Sequence, residues 1–349
     1  FIIFEFTRYI IIDYIVAFIF RITDNSRNQK FTEARRQLFT ENPFVSVIIP
    51  GKNEGKHLYK LTKSLAEQTF KNFELIIVDD GSTDTSLKVI KHYASIDKRI
   101  RFVSRENKGL VDTINEMVTL AKGDYIARMD GDDISMPTRI EKQLNKIITE
   151  SNILLVGCWI ELFGGRSETW HYRRTNDESR TISLFARCCL THASFLAHKS
   201  LFLKYPFNRD NTHLEDLDFL NRVIRSENGK IVAIPESLYQ YRIHDNSVCN
   251  TFADIQKQRR IELLQIHLEH YNIHLDIGQL QDYFYFCEQL KVTDAFKLKE
   301  LLFEVCTLCQ HSFPDCFLEF ELRWRSYCKL FDFPYEPLDS NLSQRVSLL

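Results

Sequence analysis

Between Val45 and Asp130 this chain alternates short apolar runs with stretches of helical period, and few folds can accept that pattern. Val45-Ser46-Val47-Ile48-Ile49 is almost unbroken in apolar residues, as a strand buried on both faces of a parallel sheet must be. Pro50-Gly51 ends it, Asn53 is a candidate helix cap, and Leu58, Leu61 and Leu65 then recur on one helical face. Phe73-Glu74-Leu75-Ile76-Ile77-Val78 is a second such strand, running into Asp79-Asp80-Gly81-Ser82-Thr83-Asp84, with Leu87, Val89 and Ile90 in the helix beyond. Arg101-Phe102-Val103 forms a third short strand. Leu110 to Leu120 is a helix closed by Gly123, and Gly123-Asp124-Tyr125-Ile126-Ala127 is the fourth strand. Strands joined by helices over short connections predict a doubly wound, mostly parallel α/β sheet, which binds ligands at the C-terminal ends of its strands.

Two acidic clusters fall at those ends, Asp79-Asp80 and Asp130-Gly131-Asp132-Asp133. Carboxylates this close repel one another unless a cation sits among them. Mg²⁺ and Mn²⁺ suit the place, because they take carboxylate oxygens and leave positions open for substrate phosphates. An isolated Asp-x-Asp is usually a solvated turn; its position after a buried strand, with Pro137 ready to open a helix, favours metal here.

Beyond the acidic run come an apolar stretch, Ile153-Leu154-Leu155-Val156-Gly157-Cys158-Trp159, and a polar aromatic loop at Trp170, His171 and Tyr172. Cys188 to Phe195 returns to the core. Thr212-His213-Leu214-Glu215-Asp216-Leu217-Asp218-Phe219 opens a helix with Leu217, Leu220 and Ile224 on one face. Ile231-Val232-Ala233-Ile234-Pro235 is a late strand and Tyr239-Gln240-Tyr241-Arg242-Ile243-His244 another; from about residue 252 the pattern is helical. Three parts are expected: an apolar segment and linker at 1–43, an α/β domain at 44–250, and a helical region at 251–349. Glu5, Arg8 and Asp13 interrupt the apolar residues 1–20, and each would cost about 2.5–3.5 kcal/mol at the middle of a bilayer. A membrane-surface helix, an oligomer-forming helix and a plain structural segment all remain open for this stretch.

A net charge of −2 gives no reason to expect nucleic acid as a partner. The nine cysteines are scattered through apolar runs, as buried reduced thiols are, rather than arranged as a disulfide framework. Cys306-Thr307-Leu308-Cys309 with His311 and Cys316 looks superficially like zinc spacing, but Leu301, Leu302, Phe303 and Val305 make it a helical core pattern.

Taken in order, these pieces resemble an inverting family 2 glycosyltransferase of the GT-A fold. The likeness covers roughly residues 44–250. It rests on the first strand with Asn53-Glu54, on Gln68-Thr69-Phe70 through Asp84, on Gly123 through Asp133, on Glu215-Asp216, and on Tyr241-Arg242-Ile243-His244-Asp245-Asn246-Ser247. The resemblance implies a UDP-sugar donor, an Mn²⁺ or Mg²⁺ ion, and a glycan or glycolipid acceptor. It makes Asp132 a metal ligand, Asp130 a neighbour of the ribose or metal, Asp133 a supporting carboxylate, and His244 a residue beside the metal or diphosphate. Asp80 would contact uracil or ribose, Glu54 and Asp79 would shape that pocket, and His192 would lie near the acceptor. Asp216 would be the general base, with Glu215 orienting it or the acceptor, because a hydroxyl needs a proton acceptor as the new C–O bond forms. Gly51-Lys52 departs from the small residue and aromatic found in many relatives, and Lys52 reads as a solvated lysine. The wording around Asp130 is most similar to bacterial galactosyl- and N-acetylhexosaminyltransferases of lipooligosaccharide or capsule, implying work at the inner face of the cytoplasmic membrane. A sugar-nucleotide pyrophosphorylase would want a Gly-rich basic loop where Pro50-Gly51-Lys52-Asn53-Glu54 stands. A non-catalytic carbohydrate-binding relative would not need both Asp132 and Asp216. Oligomeric state is not readable.

Overall fold

The computed structural model describes residues 44–172, 175–244, 253–314 and 316–339. The described residues belong to one compact unit that begins at Phe44; the apolar stretch 1–20, its linker and Asp245-Asn246-Ser247 lie outside them. Strand β1 (Val45–Gly51) pairs in parallel with β2 (Phe73–Asp80) and with β4 (Tyr125–Arg128), and β2 pairs in parallel with β3 (Ile100–Arg105). Helices α1 (Leu58–Ala66), α2 (Ser86–Ile96) and α3 (Leu110–Leu120) make the connections. Every residue of β2 is buried, which is why Leu75 to Val78 are apolar; Glu74 is buried with Ser46 and Arg101 as partners, and two carboxylates end the strand.

The sheet then changes character. Strands β6 (Ile153–Gly164) and β9 (Lys230–Ile243) are parallel partners, while β8 (Leu196–His198) lies antiparallel between β4 and β6. The short strands β5 (Ile134–Ser135) and β7 (Thr169–Trp170) add antiparallel pairs to β9 and β6. Among the described residues the order is β3-β2-β1-β4-β8-β6-β9-β5, so the half that carries the acidic ends is parallel and the other half is mixed. The two late strands expected from sequence are one. Cys158 pairs with Ile234 and Trp159 with Ser237, so Pro235 and Glu236 bulge out, exposed, and the proline's missing N–H costs the ladder nothing. Asn53 caps no helix either. It sits at φ 61° with its side-chain oxygen accepting the Thr83 N–H at 2.8 Å, and α1 begins only at Leu58.

Helix α4 (Arg139–Thr149) follows Pro137 by two residues, and α5 (Asn176–Thr181), α6 (Lys199–Lys204) and α7 (Glu215–Ser226) cover the mixed half. Leu217, Leu220 and Ile224 of α7 are buried as the spacing predicts. The C-terminal helices α8 (Ala253–His270), α9 (Ile277–Cys287), α10 (Ala295–Cys309) and α11 (Cys316–Phe331) share the sheet's core: one cluster runs from Ile48, Ile76 and Val78 through Phe185 and Phe219 to Phe284, Leu302 and Tyr327. Phe185 is the hinge-pin of this contact, its ring 4.6 Å from Phe320 and 6.3 Å from Phe286. Cys306 and Cys309 are buried on α10 with Cys316 at the start of α11. No helix among the described residues is long and apolar enough to cross a membrane.

His267 on α8 is fully buried, with Nε2 2.8 Å from the Ser183 hydroxyl and Nδ1 without a partner. Burial, helped by Arg225, holds its pKa at about 3 instead of 6.5. The unfolded chain therefore takes up a proton below about pH 6.5 that the folded chain refuses, and stability falls as pH drops through that window. Between pH 7 and pH 5 this residue should remove roughly 2 kcal/mol. Urea unfolding of the wild type and His267→Gln at both pH values checks it: the variant should show the smaller pH effect, and equal slopes would refute the account.

Candidate active site

The C-terminal ends of β1, β2 and β4 lie side by side, and most of the carboxylates singled out from sequence gather there. Those of β2 are already engaged. Asp79 is buried and accepts from the Ser104 hydroxyl at 2.9 Å and the Ser82 N–H at 3.3 Å. Asp80 accepts from the Lys108 and Gly109 N–H groups, both at 2.9 Å, and pairs with Arg105. Both residues thus hold the loops beside the strand end. Lys52 is exposed.

The end of β4 is different. Asp130 Oδ2 accepts from Arg128 Nη1 at 2.6 Å, and the Asp130 N–H donates to the Tyr239 hydroxyl at 3.0 Å. Asp133 is buried and accepts from the Tyr239 hydroxyl and the Arg242 N–H, each at 2.7 Å, which staples the acidic turn to β9. Asp132 Oδ2 lies 3.4 Å from His244 Nε2, and its carbonyl accepts from Arg242 Nε at 2.9 Å. Glu54 crosses over the turn at Gly131: a Cβ there would stand 2.8 Å from Glu54 Cγ, so only glycine leaves room. Burial, then Asp132 and Asp130, push the Glu54 carboxyl up to about 7. Burial and Asp130 likewise raise Asp132, and burial with both neighbours raises Asp133 well above the usual range.

These groups have the chemistry of a hard-cation site. Glu54, Asp130 and Asp132 offer oxygens and His244 offers one nitrogen, and burial with crowded neighbouring carboxylates raises both Glu54 and Asp132. Among the described residues no three His, Cys, Asp or Glu side chains are grouped closely enough to hold a metal ion. Arg242 stacks on Phe163 at 4.3 Å, and its buried Nη2 has no partner, a donor left over for an anion.

The second centre stands at the start of α7. Glu215 and His192 are buried, with Oε1 and Nδ1 3.5 Å apart, and Glu215 Oε2 and His192 Nε2 have no partners. Burial alone would raise Glu215, but the His192 hydrogen bond and charge, with Arg128, hold it below the usual value. Asp216 is half-buried; its Oδ1 accepts from the Leu217 N–H at 2.8 Å, and burial with Glu215 pushes it up against the smaller effects of His192 and the Cys188 thiol. Arg128 links the two centres. Burial disfavours its charge, yet Asp130, Tyr239 and Glu215 together keep it firmly cationic. Asp218 is buried and ion-paired with Arg222.

Sequence reading passed over Arg128, Tyr239 and Arg242. Arg128 and Arg242 sit inside the runs that carry the resemblance, and their signal was a cation next to crowded carboxylates. Tyr239 had none, since its hydroxyl meets Asp130 and Asp133 only through the pairing of β9 with β5.

The profile of the family described as "Glycosyl transferase family 2" matches residues 46–210. The O-antigen biosynthesis glycosyltransferase WbnJ of Escherichia coli is 30% identical over 208 residues, which span 58% of this chain and 81% of that one. Among solved structures, S. aureus TarS 1-349 in complex with UDP-GlcNAc is similar with a TM-score of 0.57 at 18% identity, over 84% of this chain and 93% of that chain. The mannosyltransferase PcManGT from Pyrobaculum calidifontis, in complex with GDP-Man and Mn²⁺, gives 0.50 at 14% identity, over 92% and 87%. The chain belongs to glycosyltransferase family 2, a class that acts on nucleotide sugars. Its curled α/β sheet with flanking helices is the GT-A fold.

Tyr239→Phe tests the staple. It strands the Asp130 N–H and removes one of the two donors to buried Asp133, which costs about 1–3 kcal/mol. Thermal unfolding should show a clear drop in midpoint, and an unchanged midpoint would mean the hydroxyl carries no structural load.

Proposed function

We propose that this chain transfers a hexose or N-acetylhexosamine from a UDP-sugar to a hydroxyl of a glycan or glycolipid, with inversion and with Mn²⁺ or Mg²⁺, during cell-surface polysaccharide synthesis. The observation that carries this reading is the juxtaposition of the Glu54–Asp130–Asp132–His244 group with the Glu215–Asp216 pair, bridged by buried Arg128. Asp132 and His244, with Asp130 or Glu54, would hold the metal. When bound, the metal neutralises charge building on the leaving diphosphate. Arg242 directs its unpaired Nη2 toward the same anion, and Glu54, lying across Gly131, closes the floor of the site. Asp216 takes the acceptor proton, its raised pKa bringing it nearer the working pH, and Glu215 fixes the helix start through His192. The name of WbnJ supports a polysaccharide acceptor, and the UDP-GlcNAc complex of TarS supports a UDP-sugar. Action at the cytoplasmic face of the bacterial membrane follows from where nucleotide sugars and lipid-linked glycans meet.

Asp132→Asn should abolish metal-dependent turnover while leaving the unfolding free energy within about 1 kcal/mol of wild type, because asparagine keeps the shape and removes a charge that burial and Asp130 already disfavour. A donor screen with UDP-, GDP- and dTDP-sugars, with and without chelator, measures this; wild-type turnover unaffected by excess chelator would overturn the metal assignment.

Asp216→Asn keeps the shape but cannot accept a proton. Transfer should fall by about 10²–10⁴ while calorimetric UDP affinity stays unchanged. The acid limb of the wild-type rate profile should lie above 3.8, the ordinary aspartate value. Should UDP affinity fall together with the rate, Asp216 belongs to the donor site and Glu215 becomes the base.

A further inference from the structure

Beside Cys188, whose thiol bonds Asp216, the surface opens into a cavity of about 620 Å³. Trp159, His171 and Tyr172 are its aromatic lining, and Arg187 and Arg323 its cationic lining. The aromatic wall is fixed rather than loose. Trp159 Nε1 donates to the Tyr172 carbonyl at 3.0 Å, His171 packs edge-on to the indole at 4.4 Å, and the Tyr172 hydroxyl bonds Thr191. Rigid aromatic walls with a few polar groups are the usual lining of a small-molecule site.

The arginines of the lining are ion-paired but keep N–H donors that those pairs do not use. Glu178 lines the cavity too, but its carboxylate closes a capping box on Thr175. Glu288 is gripped by both Nη atoms of Arg260 at 2.7 and 3.0 Å, leaving only a 3.9 Å approach to Arg187. Arg187 donates one further bond, to the Cys287 carbonyl at 3.1 Å. Arg323 gives its Nε to Glu319 at 2.8 Å and stacks on Phe185 at 4.1 Å, which presents the guanidinium as a fixed plate. Two guanidinium groups lining one cavity, with the Nη atoms of Arg323 outside its Nε bond to Glu319, suit bidentate recognition of an anion.

We propose that this cavity receives the acceptor, and that Arg187 and Arg323 select a sugar bearing an anionic group, a phosphate or a carboxylate. The proposal rests on the reading of Asp216 as general base, since that residue would stand beside the acceptor hydroxyl and take its proton as the oxygen meets the donor. Trp159 and Tyr172 support the sugar's apolar face, and the arginines take its charge. Helix α11 thereby supplies a specificity-determining residue from outside the α/β sheet.

The test uses the full chain loaded with UDP and Mn²⁺, and titrates glucose, glucose 6-phosphate and glucuronic acid by saturation-transfer NMR. At least one anionic sugar should bind tenfold or more tightly than glucose, and the preference should weaken as salt rises from 50 to 300 mM. Arg187→Gln, at a half-exposed position, should cut that preference about tenfold, Arg187→Lys should restore part of it, and Arg323→Gln should act like Arg187→Gln. UDP affinity should stay unchanged in all three. Preference for glucose 6-phosphate alone points to a phosphate-bearing acceptor, and for glucuronic acid alone to a uronate. Equal binding of the three sugars, no binding of any, or a preference that survives both glutamine variants would overturn the proposal while leaving the donor site standing. Failure of the wild-type chain to bind UDP would instead sink the functional reading beneath it.

Discussion

Crowding of like charge at the end of β4 is the constraint on which the rest of this structure turns. Asp130, Asp132 and Asp133 occupy one turn with Glu54 lying across it, and burial raises the cost of charge on Glu54, Asp132 and Asp133. Left alone, such a turn would open to solvent. It stays closed because Arg128 stands beneath it, Tyr239 bonds both its first and last carboxylate residues, and Arg242 bonds Asp132 and Asp133 through the chain and side chain of β9. These supports come from β4 and β9, which are distant in sequence, so the turn exists only once the mixed half of the sheet has formed. An ion pair of this kind is weak evidence for stability, because desolvating two charges offsets most of their attraction. Its return is precision: the carboxylates are held apart at the positions a cation would fill.

The parallel half of the fold was legible because its strands are buried on both faces, so each announces itself as an apolar run. Leu110–Leu120 is the helix that the spacing implied, to the residue. Expectation failed where a tertiary contact outweighed local preference. Asn53 has a cap-forming side chain, but the Thr83 N–H takes it. Pro235 reads as a strand breaker, yet a bulge lets β9 pass through it, an outcome set by the pairing with β6. The acidic residues of the site were visible as a pattern of charge at strand ends. Their division of labour was not, for Asp80 looks as available as Asp132 until Lys108, Gly109 and Arg105 are seen to surround it. Basic and phenolic partners stayed hidden because nothing in a single run of residues shows which distant strand will cross it.

Glu215 and Asp216 show how neighbours on one helix end are driven apart in chemistry. The same burial acts on both, but His192 and Arg128 stabilise the Glu215 anion while Asp216 feels that anion beside it. Two adjacent carboxyls thereby acquire different proton affinities without any change in residue class. The ordered one is fixed in place by its partners, and the other is left the better proton acceptor.

Phe185 touches Phe286 on α9, Phe320 on α11 and, through its ring face, Arg323, while the turn that carries it leads directly to Arg187 and Cys188. Residues in such contact do not change independently. A lineage that altered the bulk at Phe185 would have to adjust α9 and α11 in step, and in doing so would move a guanidinium on the cavity wall. The C-terminal helices are therefore not an appendage that recombination could exchange freely between members of this family. Any exchange of these helices would have to carry a matching segment 182–190 with it.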